Sequence, residues 1–386
     1  MEPIPYAKQF VDEDDIEAVV KVLRSSHLTQ GSKVTDFEEF FSSYVDASYG
    51  LAVSSGTAGL HLAVKALGLK PGEKVLTTSN TFVATANSVL YEKGQIDFVD
   101  IDPKTYLMDL NKLEEKLAHS KPGEFKGVIV VDFGGCPIDL ERLAEITRKH
   151  GVWIIEDACH ALGARFQDSK GVWQKTGNCK FADVSVFSFH PVKHITSGEG
   201  GLITTNRKDL FDKMALLRSH GITKDSALFT QESHGGWYYE MQDLGYNYRL
   251  SDINCALAYS QLKKIDSFLA RRKEIAKFYN TELKGLKNFF IAETNARFEN
   301  SYHLYVCRAN NRKALYDYLR ERNIFSQVLY IPVHQQPFYR KIHNWNDVLP
   351  ETNKYYESAL ALPMYATLKD TEMQLIVDSI KSFYRS

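Results

Sequence analysis

Lys193 ends the run Val186-Phe-Ser-Phe-His-Pro-Val-Lys193 and opens a loop of His, Thr, Ser and Gly that continues to Gly201. A primary amine delivered by an apolar strand, held partly away from water or beside positive charge, is neutral often enough to attack an aldehyde and form a Schiff base. The plainer reading is a solvated lysine in a strand-to-loop connection. Three upstream segments bear on the choice. In Leu51-Ala-Val-Ser-Ser-Gly-Thr-Ala-Gly-Leu60 a short strand turns into a helical pattern. Backbone N–H groups at such a helix start suit a phosphate, Gly56 allows close approach, and Ser55 and Thr57 offer hydroxyls, although an ordinary Ser/Thr N-cap is the competing explanation. In Val152-Trp-Ile-Ile-Glu-Asp-Ala158 the acids lie at a strand's C-terminal end. Asp157 there suits a pyridine nitrogen that must stay protonated, or else the cap of the next helix. In Thr77–Ala86 the aromatic Phe82 stands among small residues, placed to stack on a flat ring or to pack in a core. Amine, anion cradle, carboxylate and flat ring are together the parts of a pyridoxal phosphate site.

The surrounding pattern supplies the elements to position them. Helical periods occupy Asp12–Ser26 and Val34–Val45, and strands are predicted at Leu51–Ser54, Val75–Ser79, Ile96–Asp100, Val128–Asp132, Val152–Glu156, Val184–Phe189 and Gly201–Thr205. Helices such as Leu140–His150 and Asp209–Ser219 fill the gaps. This alternation predicts an α/β fold with a mainly parallel sheet covered on both faces. Ser251–Lys284 reads as one long helix capped by Ser251 or Asp252, followed by a strand at Tyr302–Arg308, a helix at Arg312–Arg322, a strand at Gln327–Ile331 and two more helices. The expected division is a large domain over 1–250, with an N-terminal arm, and a smaller C-terminal α+β domain over 251–386 that includes the linking helix.

With 386 residues, 44% hydrophobic, the chain has ample material for a large core. The net charge of −1 and the absence of a basic stripe argue against nucleic acid as a partner. Five cysteines without C-x-x-C spacing predict reduced thiols. The start MEPIPYAKQFVDEDD lacks an apolar leader and no long apolar run occurs, so a cytoplasmic enzyme without a membrane span is expected.

The chain resembles the DegT/StrS group of nucleotide-sugar aminotransferases. The motifs that carry the resemblance are LTQG (28–31), SSGTAGLH (54–61), NTFVATANS (80–88), EDACHALGA (156–164), FSFHPVKHITSGEGG (187–201), LGYNYRLSDI (244–253) and YIPVHQQPFY (330–339). The resemblance implies the aspartate-aminotransferase fold (fold type I, pyridoxal-phosphate-dependent). It implies that Lys193 forms the Schiff base, Asp157 pairs with the pyridine nitrogen, Phe82 stacks on the ring and His160 lies beside the cofactor. Gly56, Thr57, Ala58 and Ser188 would hold the phosphate, together with Asn247 from a neighbouring subunit, which implies a homodimer with shared sites. From the residues alone, Gly245-Tyr-Asn-Tyr248 reads as a turn. Tyr6, His190 and His334 are substrate candidates, each with packing or capping as its alternative. Three departures stand out: Asp132 in VDFGG where the group pattern predicts His, Cys159 in place of a small residue, and His194 after the lysine.

The spellings PYAKQFVDEDDIEAVVKVL, LRSHGITKD, GGWYYEMQDLGYNYRLSDINCALAYSQLKKID and YHLYV are most similar to the pseudaminic acid branch of the group. That branch implies transfer of the amino group of L-glutamate to C4 of a UDP-linked 4-keto-6-deoxy N-acetyl hexose. Another nucleotide 4-keto sugar is the alternative substrate. A sugar dehydratase of this fold is disfavoured by Lys193, which histidine replaces in such enzymes, and a non-catalytic regulator is disfavoured by the intact Lys193 and Asp157. No G-x-G-x-x-G follows a strand, which removes the nicotinamide reading. His190 and His194 are spaced i, i+4, but Pro191 opposes a regular helix and HExxH is missing, so no metal is expected.

Overall fold

The protein is described by a computed structural model covering residues 2–293, 295–343, 345 and 349–385. Helices α1 (Glu13–Leu23) and α2 (Ser32–Val45) precede a seven-stranded sheet. Its strands are β1 (Tyr49–Val53), β2 (Lys74–Thr78), β3 (Gln95–Val99), β4 (Phe125–Val131), β5 (Trp153–Asp157), β6 (Val184–Ser188) and β7 (Gly201–Thr205). They lie in the order β3-β2-β4-β5-β6-β7-β1. Every adjacent pair is parallel except those made by β7, which runs antiparallel to β6 and β1.

Helices α3 (Gly56–Ala66), α4 (Val83–Tyr91), α5 (Leu110–Ala118), α6 (Leu140–Arg148) and α7 (Lys208–Arg218) connect the strands. Because successive strand residues face opposite ways, the sheet feeds two cores. Ile129 and Ile155 join Leu60, Val64, Val89 and Met214 on the face covered by α3, α4 and α7. Val128, Val130 and Ile154 join Leu113, Leu143 and Ile146 on the face covered by α5 and α6. Apolar contact on both sides explains why these strands read as continuous hydrophobic runs.

Helices α8 (Asp252–Leu262) and α9 (Ile265–Leu283) lead to a second, antiparallel sheet of β8 (Phe289–Ile291), β9 (Tyr305–Ala309) and β10 (Ala359–Leu362). Its core takes in Tyr279, Leu315, Ile376 and, from the N-terminal arm, Ile4. Two expectations are corrected here. The segment Ser251–Lys284 is two helices, broken where Lys264 turns its ammonium to Asp12 (2.6 Å) and the buried Asp15 (2.7 Å) of α1. The cap is Ser251, whose Oγ accepts from Asn254 N–H, whereas the Asp252 carboxylate accepts from Gly31 and Lys33 N–H and so anchors the LTQG segment. Gln327–Ile331 is not a strand of this sheet and makes only one bridge, Gln327 to Ala361. The pairing position beside β9 is taken by Ala359-Leu-Ala-Leu362, a run of helix formers that the neighbouring strand holds extended.

Candidate active site

The C-terminal edge of the parallel strands gathers the chemistry. The chain leaves β1 at Ser54, whose N–H donates to Tyr248 O (2.8 Å), and enters α3 through Ser55. Ser55 Oγ accepts from Ala58 N–H (3.1 Å), so Ala58's donor is engaged by the cap while Gly56 and Thr57 carry the first-turn N–H groups that lack intrahelical acceptors. A Cβ at Gly56 would stand 3.1 Å from both Ser188 Cβ and Cys159 Sγ, and one at Gly201 would stand 2.7 Å from Gly56 N. The two glycines therefore let the start of α3 close onto the ends of β5, β6 and β7. Ser188 is brought directly beside this helix start, whose free donors and dipole end suit an anion.

Asp157, at the end of β5, is buried; its Oδ2 accepts from Thr85 Oγ1 (2.7 Å) and its Oδ1 from Cys159 N–H (3.3 Å). Thr85 of α4 lies three residues past Phe82, one helical turn into the motif that starts at Asn80, and sequence reasoning passed it over. Lys193 is half-buried, and its backbone N–H donates to His190 O (2.9 Å). Desolvation lowers its pKa below that of an ordinary lysine, opposed by Cys159 and Asp157. That shift enlarges the neutral, nucleophilic fraction near neutral pH. Cys159 itself is held protonated, chiefly by burial and then by Asp157.

His160 is buried against the turn after β4. Its Nδ1 accepts from Gly134 N–H (3.3 Å), which places the ring proton on Nε2, facing Tyr330 OH at 3.0 Å. Burial, aided by Lys193 and His194, keeps the ring neutral. Tyr330 is the second residue that sequence reasoning missed, although it opens the YIPVHQQPFY motif. Its ring stacks beside His160 and lies 5.8 Å from Phe82, and burial raises its phenol, with Tyr6, Asp157 and Cys159 adding to the effect. Phe82, the N-cap residue of α4, is 54% exposed, so it is not a core aromatic and leaves ring surface for a flat partner.

The remaining candidates separate. Tyr6 is half-buried near Tyr330, and its carbonyl accepts from Met364 N–H (2.9 Å). His190 is exposed at the Lys193 turn. His334 is buried with both ring nitrogens engaged, Nδ1 with Ser79 Oγ (2.7 Å) and Nε2 with Asn353 Oδ1 (3.0 Å); this geometry supports its packing alternative. His194 turns away into the fold and donates to Ser301 O (3.1 Å). Tyr246 and Tyr248 stack on each other at 4.9 Å, with Tyr246 OH to Glu92 and Tyr248 OH to His61, and Asn247 between them is exposed. No three His, Cys, Asp or Glu side chains among the described residues are grouped to hold a metal, and no described helix is long and apolar enough to cross a membrane.

The chain is 37% identical over 388 residues to a UDP-4-amino-4,6-dideoxy-N-acetyl-beta-L-altrosamine transaminase of Campylobacter jejuni, covering 98% of this chain and 97% of that one. Its fold superposes with a TM-score of 0.89 on Helicobacter pylori PseC, an aminotransferase involved in the biosynthesis of pseudoaminic acid, at 30% identity and 100% coverage of both chains. The PLP form of Spr1654 from Streptococcus pneumoniae gives a TM-score of 0.89 at 26% identity, covering 99% of each chain. The model of one family matches residues 9–381, and the chain belongs to that family, the DegT/DnrJ/EryC1/StrS aminotransferases.

Proposed function

We propose that this enzyme uses pyridoxal 5′-phosphate to move the amino group of L-glutamate to C4 of a UDP-linked 4-keto-6-deoxy N-acetyl hexose. The observation that carries the aminotransferase reading is the desolvated Lys193 amine at the sheet edge that also holds Asp157 and the Gly56 cradle. Identity of 37% along the whole chain to the Campylobacter transaminase supports the sugar. The cofactor supplies an aldehyde that binds amines and a ring that withdraws electrons from the reacting carbon.

The residues divide the work. Lys193 Nζ would hold the aldehyde and, when free, would serve as the base for the donor's Cα proton. Asp157 would keep the pyridine nitrogen protonated, with Thr85 and the Cys159 N–H fixing the carboxylate. Phe82 and His160 would lie against the ring. Gly56, Thr57 and Ser188 would hold the phosphate, with Ala58 ordering the cradle through its bond to Ser55. The exposed His190 and half-buried Tyr6 would be available to the sugar.

The test is the visible spectrum of the purified protein on addition of L-glutamate, followed by UDP-2-acetamido-2,6-dideoxy-β-L-arabino-hexos-4-ulose with product mass detection. Loss of the cofactor band with glutamate, its return with the keto sugar and a new amino sugar are expected. Return only with a different nucleotide 4-keto sugar would overturn the substrate and keep the reaction. No response to glutamate would overturn both.

The exposed Asn247 supports sites shared between two subunits, with this residue reaching the partner's phosphate. Lys193→Ala and Asn247→Asp chains, each inactive alone, should on mixing regain about a quarter of wild-type activity, because half the dimers are hybrids with one intact site of two. Absence of recovery under demonstrated subunit exchange would exclude sharing.

A further inference from the structure

Beneath the site, two carboxyls lie together without a cation. Asp132, just past β4, and Glu156, in β5, are both 0% exposed. In the register that pairs Val130 with Glu156 and Val131 with Asp157, both fall on the sheet face opposite Asp157. Asp132 Oδ1 accepts from Ile138 N–H (2.9 Å), and Glu156 Oε2 accepts from Gly177 N–H (3.0 Å) and Ser185 Oγ (2.5 Å). Asp132 Oδ2 and Glu156 Oε1 are left buried with no donor, while the two side chains are within hydrogen-bonding reach of each other. The titratable groups that act on them among the described residues are the thiols of Cys136 and Cys179 and, through the sheet, Asp157, none of them positive. Two adjacent carboxylates cannot both stay ionised in such a place, and a single proton between them satisfies both orphaned oxygens.

We infer that Asp132 and Glu156 share one proton, and that this pair is a positioning device joining the turn that holds His160 to the strand end that carries Asp157. It rests on the reading of Asp157 and His160 as cofactor-facing residues. On one side, Asp132 Oδ1 closes the turn from 132 to 138, and inside that turn Gly134 N–H sets the His160 tautomer that presents Nε2–H to Tyr330. On the other, Glu156 directly precedes Asp157, whose carbonyl accepts from Asp132 N–H (3.2 Å). Burial raises both carboxyls, Asp132 well above the usual range with the charge of Glu156 adding to the effect, and Glu156 with a further push from Asp157 against its bonds to Ser185, Asp132 and Gly177. For acids raised in the folded state, the stabilisation is complete below the ordinary carboxyl pKa and is lost as pH rises through the folded value. The joint therefore holds on the acidic side and loosens toward alkaline pH.

The test uses the full-length protein as purified, with readouts that need no turnover, so the outcome is independent of whether the proposed reaction is correct. Isotope-edited infrared spectra should show a protonated carboxyl in the wild type at neutral pH that disappears on alkalinisation. Nitrogen-15 NMR should show the His160 ring losing its Nδ1-acceptor signature over the same range. In Asp132→Asn the amide replaces the shared proton, so the carboxyl band should vanish while the His160 tautomer persists and its alkaline transition is removed. Glu156→Gln should behave likewise, whereas Asp132→Leu should shift the tautomer at every pH. If Asp132→Leu does not fold, the infrared band and the Asp132→Asn titration decide. Absence of a protonated carboxyl in the wild type, or an alkaline transition retained in Asp132→Asn, would overturn the inference.

Discussion

Lys193→Ala is expected to leave a protein that still binds pyridoxal phosphate but holds no cofactor that borohydride can fix to the chain. Two losses coincide. On the proposed assignment the amine that would bind the aldehyde is gone, and so is the base for the proton on the donor's Cα. Positioned general bases contribute roughly 10²–10⁴-fold, so turnover with glutamate should fall by at least that factor. Binding should survive, since the cradle at Gly56 and Thr57, Asp157 and Phe82 lie on β1–α3, β5 and α4 and do not depend on the Lys193 side chain. Mass spectrometry after reduction measures the covalent link, and single-turnover absorbance with glutamate measures the proton transfer. A small primary amine in the buffer should restore part of the rate by acting as a free base. A reducible adduct on the alanine variant would place the Schiff base on another lysine and refute the assignment.

Asp157→Asn should have the next largest effect. The amide is nearly isosteric, and its oxygen can still accept from Thr85 Oγ1, now 2.7 Å from the carboxylate. What disappears is the negative charge that, on the proposed assignment, would keep the pyridine nitrogen protonated. Removing one preorganised electrostatic partner from a site of this kind typically costs about 10²–10³-fold in rate. Cofactor content should change little while kcat with glutamate drops by that order, a separation that unfolding or cofactor loss would not produce. Activity within a few-fold of wild type, with full cofactor, would remove Asp157 from the chemistry.

The parts that were legible in the sequence are those whose physics is local. Strand and helix periodicity located all seven strands of the central sheet to within a few residues, because burial on both faces writes a continuous apolar run. The candidates Lys193, Asp157, Phe82 and the Gly56 turn stood out because each lies at or a few residues past a strand end, where small, polar and aromatic residues follow an apolar run. The misreadings came where distant contacts overrode local preference. Gln327–Ile331, read as a strand, makes one bridge to Ala361 while Ala359–Leu362 holds the place beside β9, and the expected continuous helix over 251–284 is interrupted at Lys264, whose ammonium pairs with Asp12 and Asp15 of α1.

Within the candidate site, the sequence by itself determined the chemical types, namely an amine, a carboxylate, small hydroxyl and glycine residues and flat rings, since residue identity alone sets what can bond, ionise or stack. Only the tertiary structure decided which partners those groups meet. Thr85 bonds Asp157 across 72 positions of chain, Tyr330 meets His160 across 170, and His334, a substrate candidate with packing as its alternative, is bound to Ser79 across 255. Asp132 shows the same division. The sequence marked it as an odd residue in its motif, but burial beside Glu156 gives it its meaning, because desolvation and repulsion depend on neighbours in space and leave no trace in the order of the chain.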